Sequence, residues 1–317
     1  MKFASLIKNR KALAGLLLFA LTALVAAFPG LFTSDHAPDV IGTYTPNLGA
    51  STAHLLGTTS YGQDIYSQLV YGARQVLVIA LLAGAFATVL SVLIGITAAY
   101  MGGVVDELLT LFTNVVLILP TFPLMIILAK YAGQSNLVMV SVLVATGWSY
   151  GANQMRAQAL SLRNRDFLEA ARVRGERRSY IILFEMMPTM TSLIVANFLG
   201  SALYSVLAAS GLQFIGLGDT AQDSWGTMLY WAHNMEALQA GNSLWIIAPG
   251  LAIAVLSAAF ALMNYAFDEI GNPALRPVRR KDLRRSRKAE RLAARAADQH
   301  AEKGANDVEP DVYADAS

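Results

Sequence analysis

The residues that could carry chemistry in this chain of 317 residues are few, and their spacing excludes most reactions. There is no cysteine, so the sequence offers neither a thiolate nucleophile nor a cysteine-ligated metal site. The four histidines, His36, His54, His233 and His300, are scattered, and none has the His-x-x-x-His or Glu-x-x-His spacing of metal ligands. No Gly-x-x-x-x-Gly-Lys-Ser/Thr loop is present to cradle a nucleotide. We therefore predict that the chain is not an enzyme and binds no cofactor or metal itself.

One polar segment, residues 156–186, has a pattern that predicts a short helix. Asp166 is suited to cap this helix, and Glu169 stands three residues later, in the position of a capping box. Gly175 is suited to end it. The segment therefore predicts a helix of about two turns between two long apolar stretches.

The surface of this short helix is suited to contact with another protein. Ala170 and Ala171 are small enough to let a partner approach closely, and Glu169 and Arg172 can make charged contacts at the edge. A basic loop that lies on anionic lipid is the alternative interpretation of the same residues. The residues alone do not separate these two interpretations.

The rest of the chain has the composition of a membrane protein, with 55% hydrophobic and 15% charged residues. A bilayer core about 30 Å thick needs about 20 apolar residues of helix, because peptide groups in lipid must be satisfied within the segment. Six stretches qualify, at about 13–32, 75–101, 108–129, 137–157, 187–215 and 243–267. Pro120 and Pro123 lie inside the third stretch and predict a bend there.

The distribution of Lys and Arg predicts the orientation of these stretches. Of the 24 basic residues, 22 lie before the first stretch, in 156–178 or from Arg276 onward, and short basic loops remain cytoplasmic. We predict an all-α polytopic membrane protein with six transmembrane helices and both termini in the cytoplasm. The predicted parts are a cytoplasmic N-terminus (1–12), the first transmembrane helix (13–32), an external segment (33–74), a five-helix core (75–267) containing the cytoplasmic loop 156–186, and a basic then acidic tail (268–317). A cleaved secretory signal is the alternative for 13–32, but its apolar run is long for one.

The interiors of the predicted spans are almost free of charge, which excludes several classes of transporter. Asp106, Glu107, Lys130 and Glu185 all lie at span ends, and no span carries the spaced arginines of a voltage sensor. Proton- or ion-coupled carriers commonly place ionisable groups within the membrane. Energy for uphill transport is therefore expected to enter from outside the bilayer. A passive channel or scaffold is the alternative of a different class.

The polar segment carries a recognisable motif. Glu169-Ala170-Ala171, three residues, Gly175 and then Pro188 thirteen positions later resembles the signature loop of bacterial ABC-importer permeases. That pattern is Glu-Ala-Ala, three residues, Gly, nine residues, Ile-x-Leu-Pro. Glu185 and Met187 stand where the pattern has isoleucine and leucine.

Further motifs narrow the resemblance to the C-type permease of the dipeptide, oligopeptide and nickel importers, over about residues 56–273. They include Leu56-Gly57-Thr58 with Gly62-x-Asp64, Tyr71-Gly72-Ala73-Arg74, Gly102-Gly103-Val104-Val105-Asp106, Phe214-Ile215-Gly216-Leu217-Gly218 and Ser224-Trp225-Gly226-x-Met228-Leu229. Such permeases have the type I importer fold. Thr59 and Gln63 occupy positions where this family usually has Asp and Arg.

The resemblance implies a function in import across a bacterial inner membrane. The solutes it implies are di- or oligopeptides, with oligosaccharides or nickel as alternatives. The implied partners are a second related permease in a heterodimer, two cytoplasmic ATP-binding subunits that hold ATP and Mg, an extracytoplasmic solute-binding protein and the lipid bilayer. The residues implied to couple this chain to the ATPase are Asp166, Glu169, Ala170, Ala171, Arg172, Gly175 and Pro188. No nucleic-acid partner is expected, since the basic tail lacks interleaved aromatic residues.

Two further sets of residues are candidates for contact with the solute or its binding protein. An external docking site or gate is predicted at Asp223, Ser224, Trp225 and Gly226, with an interfacial tryptophan anchor as the alternative. Pathway lining is predicted for Ser201, Tyr204, Ser205 and Ser210, with helix packing as the alternative.

Overall fold

The computed structural model describes residues 10–35 and 38–271, and most of these residues are helical. Within them the only extended pairing is an isolated bridge between Thr58 and Asp64. The prediction of an all-α chain is therefore confirmed for the described residues. The predicted cytoplasmic N-terminus up to residue 9 and the tail from residue 272 lie outside them.

The helices follow one another with short connections. They are α1 (Arg10–Ala27), α2 (Ile65–Met101), α3 (Gly103–Ile118), α4 (Thr121–Ala132), α5 (Asn136–Leu162), α6 (Asp166–Val173), α7 (Thr191–Phe214), α8 (Trp225–Asn234) and α9 (Leu244–Gly271). Between α6 and α7 the chain forms the short turns Arg178–Tyr180, Ile181–Met186 and Met187–Thr189, of which the middle one is π-helical.

Four described helices are long and apolar enough to cross a membrane: α1, α2, α7 and the Leu244–Phe267 part of α9. The pair α3 and α4 makes a fifth if it is one broken span, since the two helices meet at 88°. The bend predicted from Pro120 lies at this junction, where Pro120 precedes the first residue of α4. Helix α5 contains the predicted span 137–157 but is not among these candidates. Six spans and cytoplasmic termini therefore remain predictions.

Helix α2 begins ten residues before the predicted start at residue 75. Asp64 caps it, because its carboxylate accepts hydrogen bonds from the Ser67 backbone N–H and hydroxyl, both at 2.8 Å. Arg74 is exposed at the end of this extension, and its charge interrupts the apolar run from which the start was predicted. The 37 residues of α2 correspond to about 55 Å at 1.5 Å per residue, which exceeds the thickness of the hydrocarbon core.

Helix α2 is the centre of the bundle and packs against α5 and α7, while α9 packs against α7 and α1. Small residues permit the close approach of α2 and α5. Gly95 of α2 is in such close contact that an added Cβ would collide with the Ala152 carbonyl oxygen and the Met155 Cβ of α5. Small residues at such contacts let membrane helices pack backbone to backbone.

We expect Gly95→Ala to reduce the amount of folded protein and lower its apparent melting temperature. The new methyl group meets backbone atoms that can move only if α5 shifts, and overpacking of this kind costs about 1–3 kcal/mol. Gly250→Ala in α9 is the matched control, because no atom lies within 4 Å of an added Cβ there. Size-exclusion chromatography after heating in detergent measures both variants. Equal melting temperatures would contradict the proposed contact.

Candidate functional site

Helix α6 begins at Asp166, with Arg165 in the preceding cap position and no capping hydrogen bond from a side chain. The expectation that Asp166 caps this helix in a box with Glu169 is therefore wrong, because Asp166 already lies within the first turn. Its carboxylate and that of Glu169 still favour this end of the helix dipole. The predicted end is confirmed: Gly175 has a φ of +77°, and its N–H donates to the Arg172 carbonyl oxygen at 3.0 Å.

The two faces of α6 have different surroundings. Leu168 and Ala171 are both 0% exposed and belong to a core cluster that includes Ile96 of α2. On the other face Ala170 is exposed and Val173 is 84% exposed. The expectation that both alanines offer a contact face is wrong for Ala171, because its side chain packs inside this chain. Ala170 is the alanine that a partner can reach.

Two arginines of this segment tie it to the membrane helices and to the segment that follows. Arg172 donates from Nη2 to the Arg163 carbonyl oxygen at 2.8 Å and lies 5.5 Å from the Tyr100 ring of α2. Arg174 pairs with Glu185, with 3.2 Å between Nη2 and Oε1. Exposed pairs contribute about 1 kcal/mol or less, so this pair orients the loop more than it stabilises the fold. Glu185, which departs from the family pattern, is thus paired within its own chain.

Pro188 lies at the entry to α7. It is exposed, and its carbonyl oxygen accepts a hydrogen bond from the Thr191 hydroxyl at 2.8 Å. The π-helical turn Ile181–Met186 precedes it, and such turns are frequent at functional sites. Pro188 is therefore at the point where the polar segment 156–186 is followed by helix α7.

A cavity of about 500 Å³ lies within the helix bundle, between the α3–α4 bend and α5, α7 and α9. Its polar lining includes Ser149, Gln154, Asn197, Ser201, Tyr204 and Asn264. None of the described residues that line it carries a formal charge. Polar groups inside membrane segments generally face the interior of the bundle or a water-filled cavity. The cavity can therefore hydrogen-bond a neutral polar solute.

Asn197 is the most distinctive group on this wall. It is 8% exposed, and its Oδ1 has no hydrogen-bond partner among the described residues. The amide nitrogen of Asn264 has a partner, since its Nδ2 donates to the Ala196 carbonyl oxygen at 3.1 Å. A buried polar atom without a partner costs about 1–3 kcal/mol, which a bound donor would offset.

The structure brings two of the four predicted pathway residues to this cavity, Ser201 and Tyr204. Ser205 is buried and donates to the Ser201 carbonyl oxygen at 2.8 Å, as in ordinary helix packing. Ser210 is also buried and does not line the cavity. Sequence analysis missed Asn197, although an amide inside an apolar span was the signal that could have identified it.

The predicted external site separates into packing residues and one carboxylate. Ser224 caps α8 in a capping box with Thr227, with 3.1 Å from the Thr227 N–H to the Ser224 hydroxyl. Trp225 is 3% exposed and donates from Nε1 to the Leu69 carbonyl oxygen at 2.9 Å. Gly226 is buried, and an added Cβ there would approach Gln213. These three residues therefore pack against the chain, which leaves neither a docking surface nor an interfacial tryptophan anchor at Trp225.

Asp223 is the member of this set that faces open space. It is half-buried and lines a smaller cavity of about 330 Å³ together with Asp39. Burial, together with the negative charges of Asp39 and Asp35, raises the pKa of the Asp223 carboxyl to about 7. A carboxylate in these surroundings favours either a proton or a bound cation.

The described apolar helices are those of a multi-pass membrane protein, and the cavity among them is consistent with a permease. Residues 91–276 match the family described as binding-protein-dependent transport system inner membrane component, and the chain belongs to that family. It is 27% identical over 278 residues to the dipeptide transport system permease protein DppC of Alkalihalophilus pseudofirmus, covering 86% of this chain and 89% of that protein. It is 28% identical over 270 residues to DppC of Bacillus subtilis (85% and 83%). It is 30% identical over 181 residues to the oligopeptide transport system permease protein OppC of Mycobacterium tuberculosis (56% and 62%).

These comparisons confirm the family resemblance that the Glu169–Pro188 motif indicated. The matched range contains the whole motif from Glu169 to Pro188, including the exposed Ala170 and the buried Ala171. The chain is thus a permease component of an importer of the ABC type.

Proposed function

We propose that this chain is the permease subunit of an ATP-driven importer of di- or oligopeptides, and that it forms half of the translocation pathway. The single observation that carries this proposal is the uncharged, amide- and hydroxyl-lined cavity of about 500 Å³ inside the bundle. Peptide groups are neutral donors and acceptors, so a neutral wall can accept peptides of different sequence. The names of the relatives support the same class of solute.

Helix α6 is the proposed mechanical link to the source of energy. Its inner face is fixed against α2 through Leu168 and Ala171, while Ala170 and Val173 remain exposed on its outer face. A cytoplasmic ATP-binding subunit that binds the outer face of α6 would move the membrane helices when it changes conformation. ATP and Mg are held by two such subunits in this proposal, and this chain contributes no residue to hydrolysis.

The proposed assembly has three further parts. A second, related permease completes the pathway as a heterodimer, and an extracytoplasmic solute-binding protein delivers the solute. The bacterial inner membrane is the proposed location, in agreement with the family description. Nothing in this arrangement requires a charged relay within the bilayer.

Mass spectrometry of proteins that co-purify with the tagged chain in mild detergent tests the proposal. We expect ATP-binding subunits and a second permease, and we expect ATP-dependent uptake of a labelled dipeptide when the recovered complex and its binding protein are reconstituted into liposomes. Recovery of the folded chain alone, with solute flux that needs no ATP, would overturn the importer proposal in favour of a passive channel. Uptake of oligosaccharide or nickel but not dipeptide would overturn the choice of solute alone.

A further inference from the structure

The cavity of about 330 Å³ lies away from the bundle interior, among segments predicted to face outward. Its walls come from the segment before α2, the first turn of α2, the loop before α8, α8 itself and the start of α9. The lining residues that matter are Asp39, Tyr61, Gln63, Asp223, Trp231 and Trp245. Two acidic and three aromatic side chains from distant parts of the sequence thus surround one small space.

The two carboxylates of this cavity are surrounded by acidic and neutral groups among the described residues. Neither Asp39 nor Asp223 forms an ion pair within the part of the chain that the structure describes. The charged groups that act on Asp223 are Asp39 and Asp35, and both are acidic. This electrostatic environment favours a positively charged ligand over a neutral or negative one.

Trp245 provides independent evidence for a ligand site in this cavity. It lines the cavity and is 1% exposed, yet its Nε1 has no hydrogen-bond partner among the described residues. A buried N–H without an acceptor costs about 1–3 kcal/mol. An oxygen atom of a ligand next to the cationic group would satisfy it.

The other aromatic residues are already oriented. Trp231 donates from Nε1 to the Thr220 carbonyl oxygen at 3.1 Å, and its ring meets Tyr61 edge to face with 5.7 Å between centroids. Their indole and phenol rings can attract an ammonium group through its charge.

Gln63 contributes a neutral side chain to the wall of this cavity. It stands where the resembling family motif has Arg, and its Nε2 donates to the Asp39 backbone carbonyl oxygen at 2.8 Å. A guanidinium at this position would place a positive charge on the wall. The neutral amide adds no positive charge, so the described lining residues supply no cation to Asp39 or Asp223.

We propose that this external cavity binds a primary ammonium group with a neighbouring carbonyl oxygen, the combination found at the amino terminus of a peptide. The ammonium group lies between Asp223 and Asp39, and the carbonyl oxygen accepts a hydrogen bond from Trp245 Nε1. The cavity is at the small end of ligand sites, so it holds the end of a peptide and not its whole length. The choice of a peptide rests on the proposed function, whereas the ammonium and carbonyl chemistry rests on the cavity.

Isothermal titration of the full chain in lipid nanodiscs tests this site with alanyl-alaninamide at pH 7.5. We expect binding of this probe and at least a tenfold loss of affinity for its N-acetylated form, which lacks the ammonium group. Asp223→Asn should cause a similar loss, whereas Glu236→Gln, an exposed external carboxylate outside the cavity, should bind as the wild type does. Equal binding of the two probes, or unchanged binding by Asp223→Asn, would overturn the proposal.

Two further variants keep the test decisive if Asp223→Asn folds poorly. Gln63→Arg should abolish binding because it supplies the cation from within the chain. Trp245→Phe should weaken binding of alanyl-alaninamide several-fold and leave binding of ethylamine, which has no carbonyl oxygen, unchanged. If alanyl-alaninamide binds Gln63→Arg as it binds the wild type, the site is wrong.

The pH dependence provides a second readout. Because the pKa of Asp223 is raised to about 7, lowering the pH from 7.5 to 5.5 should protonate the carboxyl and weaken binding. Asp223→Asn should remove most of this pH dependence, and its persistence in that variant would count against the site. Binding to isolated chain with no uptake by the assembled complex would overturn the proposed function but not this cavity. Uptake without binding would overturn the cavity alone.

Discussion

Ala170→Asp is expected to abolish ATP-dependent uptake while the protein remains folded in the membrane. Ala170 is exposed on the outer face of α6, near Val173, which is 84% exposed. A new carboxylate would be buried without a partner when an ATP-binding subunit covers this face. Such a burial costs about 2–5 kcal/mol, which corresponds to a loss of affinity of about 30-fold or more.

The measurement is uptake of a labelled dipeptide per unit of membrane-inserted protein, together with the amount of ATP-binding subunit that co-purifies. Ala170→Ser, which adds only a hydroxyl group, is the conservative control and should retain both. Full uptake by Ala170→Asp with a normal content of ATP-binding subunit would show that α6 does not make the proposed contact.

The neighbouring substitution Ala171→Asp gives the opposite pattern. Ala171 is 0% exposed in the cluster with Leu168 and Ile96, so the carboxylate would be buried inside this chain. The amount of inserted, folded protein should therefore fall before any effect on coupling can be measured. The same change at adjacent positions thus separates loss of coupling from loss of folding.

The sequence contained part of the information about α6. Leu168 and Ala171 are three residues apart and share a face of any helix, which indicates that Ala171 belongs on the apolar side. The cap could not be assigned as well, because helix ends are uncertain by one or two residues and both Arg165 and Asp166 can begin a helix. Periodicity therefore predicts faces better than it predicts ends.

In the membrane helices too, the sequence predicts some features, while others depend on local capping and tertiary packing. The bend at Pro120 follows from the missing N–H of proline, but its angle of 88° depends on how α4 packs against α5. Hydropathy placed the start of α2 too late, since the exposed Arg74 interrupts the apolar run although the Asp64 cap begins the helix earlier. The hydrogen bonds of the Asp64 cap determine where α2 begins.

The smaller cavity, of about 330 Å³, could not have been predicted from sequence. Its carboxylates, Asp39 and Asp223, are 184 positions apart, and no spacing rule links them to Trp245. Gln63 provided the one signal, a departure from the family motif, but its meaning depends on which groups surround it. Tertiary contacts supply those surroundings.

Ser201→Trp is expected to block solute uptake by filling the cavity of the helix bundle. Ser201 lines the 500 Å³ cavity together with Asn197, and an indole there would occupy space that a solute needs in the proposed pathway. Uptake should fall by at least about tenfold, equivalent to about 1.4 kcal/mol. ATP hydrolysis by the assembled complex should continue, because Ser201 is far in sequence from α6 and the cytoplasmic contact is unchanged.

Two controls separate occlusion from damage to the fold. Ser201→Ala keeps the cavity open and should support near-normal uptake. Leu207→Trp adds the same bulk to α7 at a position that is 52% exposed and does not line the cavity, so it should also retain uptake. If Ser201→Trp transports as well as Leu207→Trp at equal abundance, the solute does not pass through this cavity. If both tryptophan variants lose uptake together with ATP hydrolysis, added bulk on α7 disrupts the assembly and the loss cannot be assigned to the cavity.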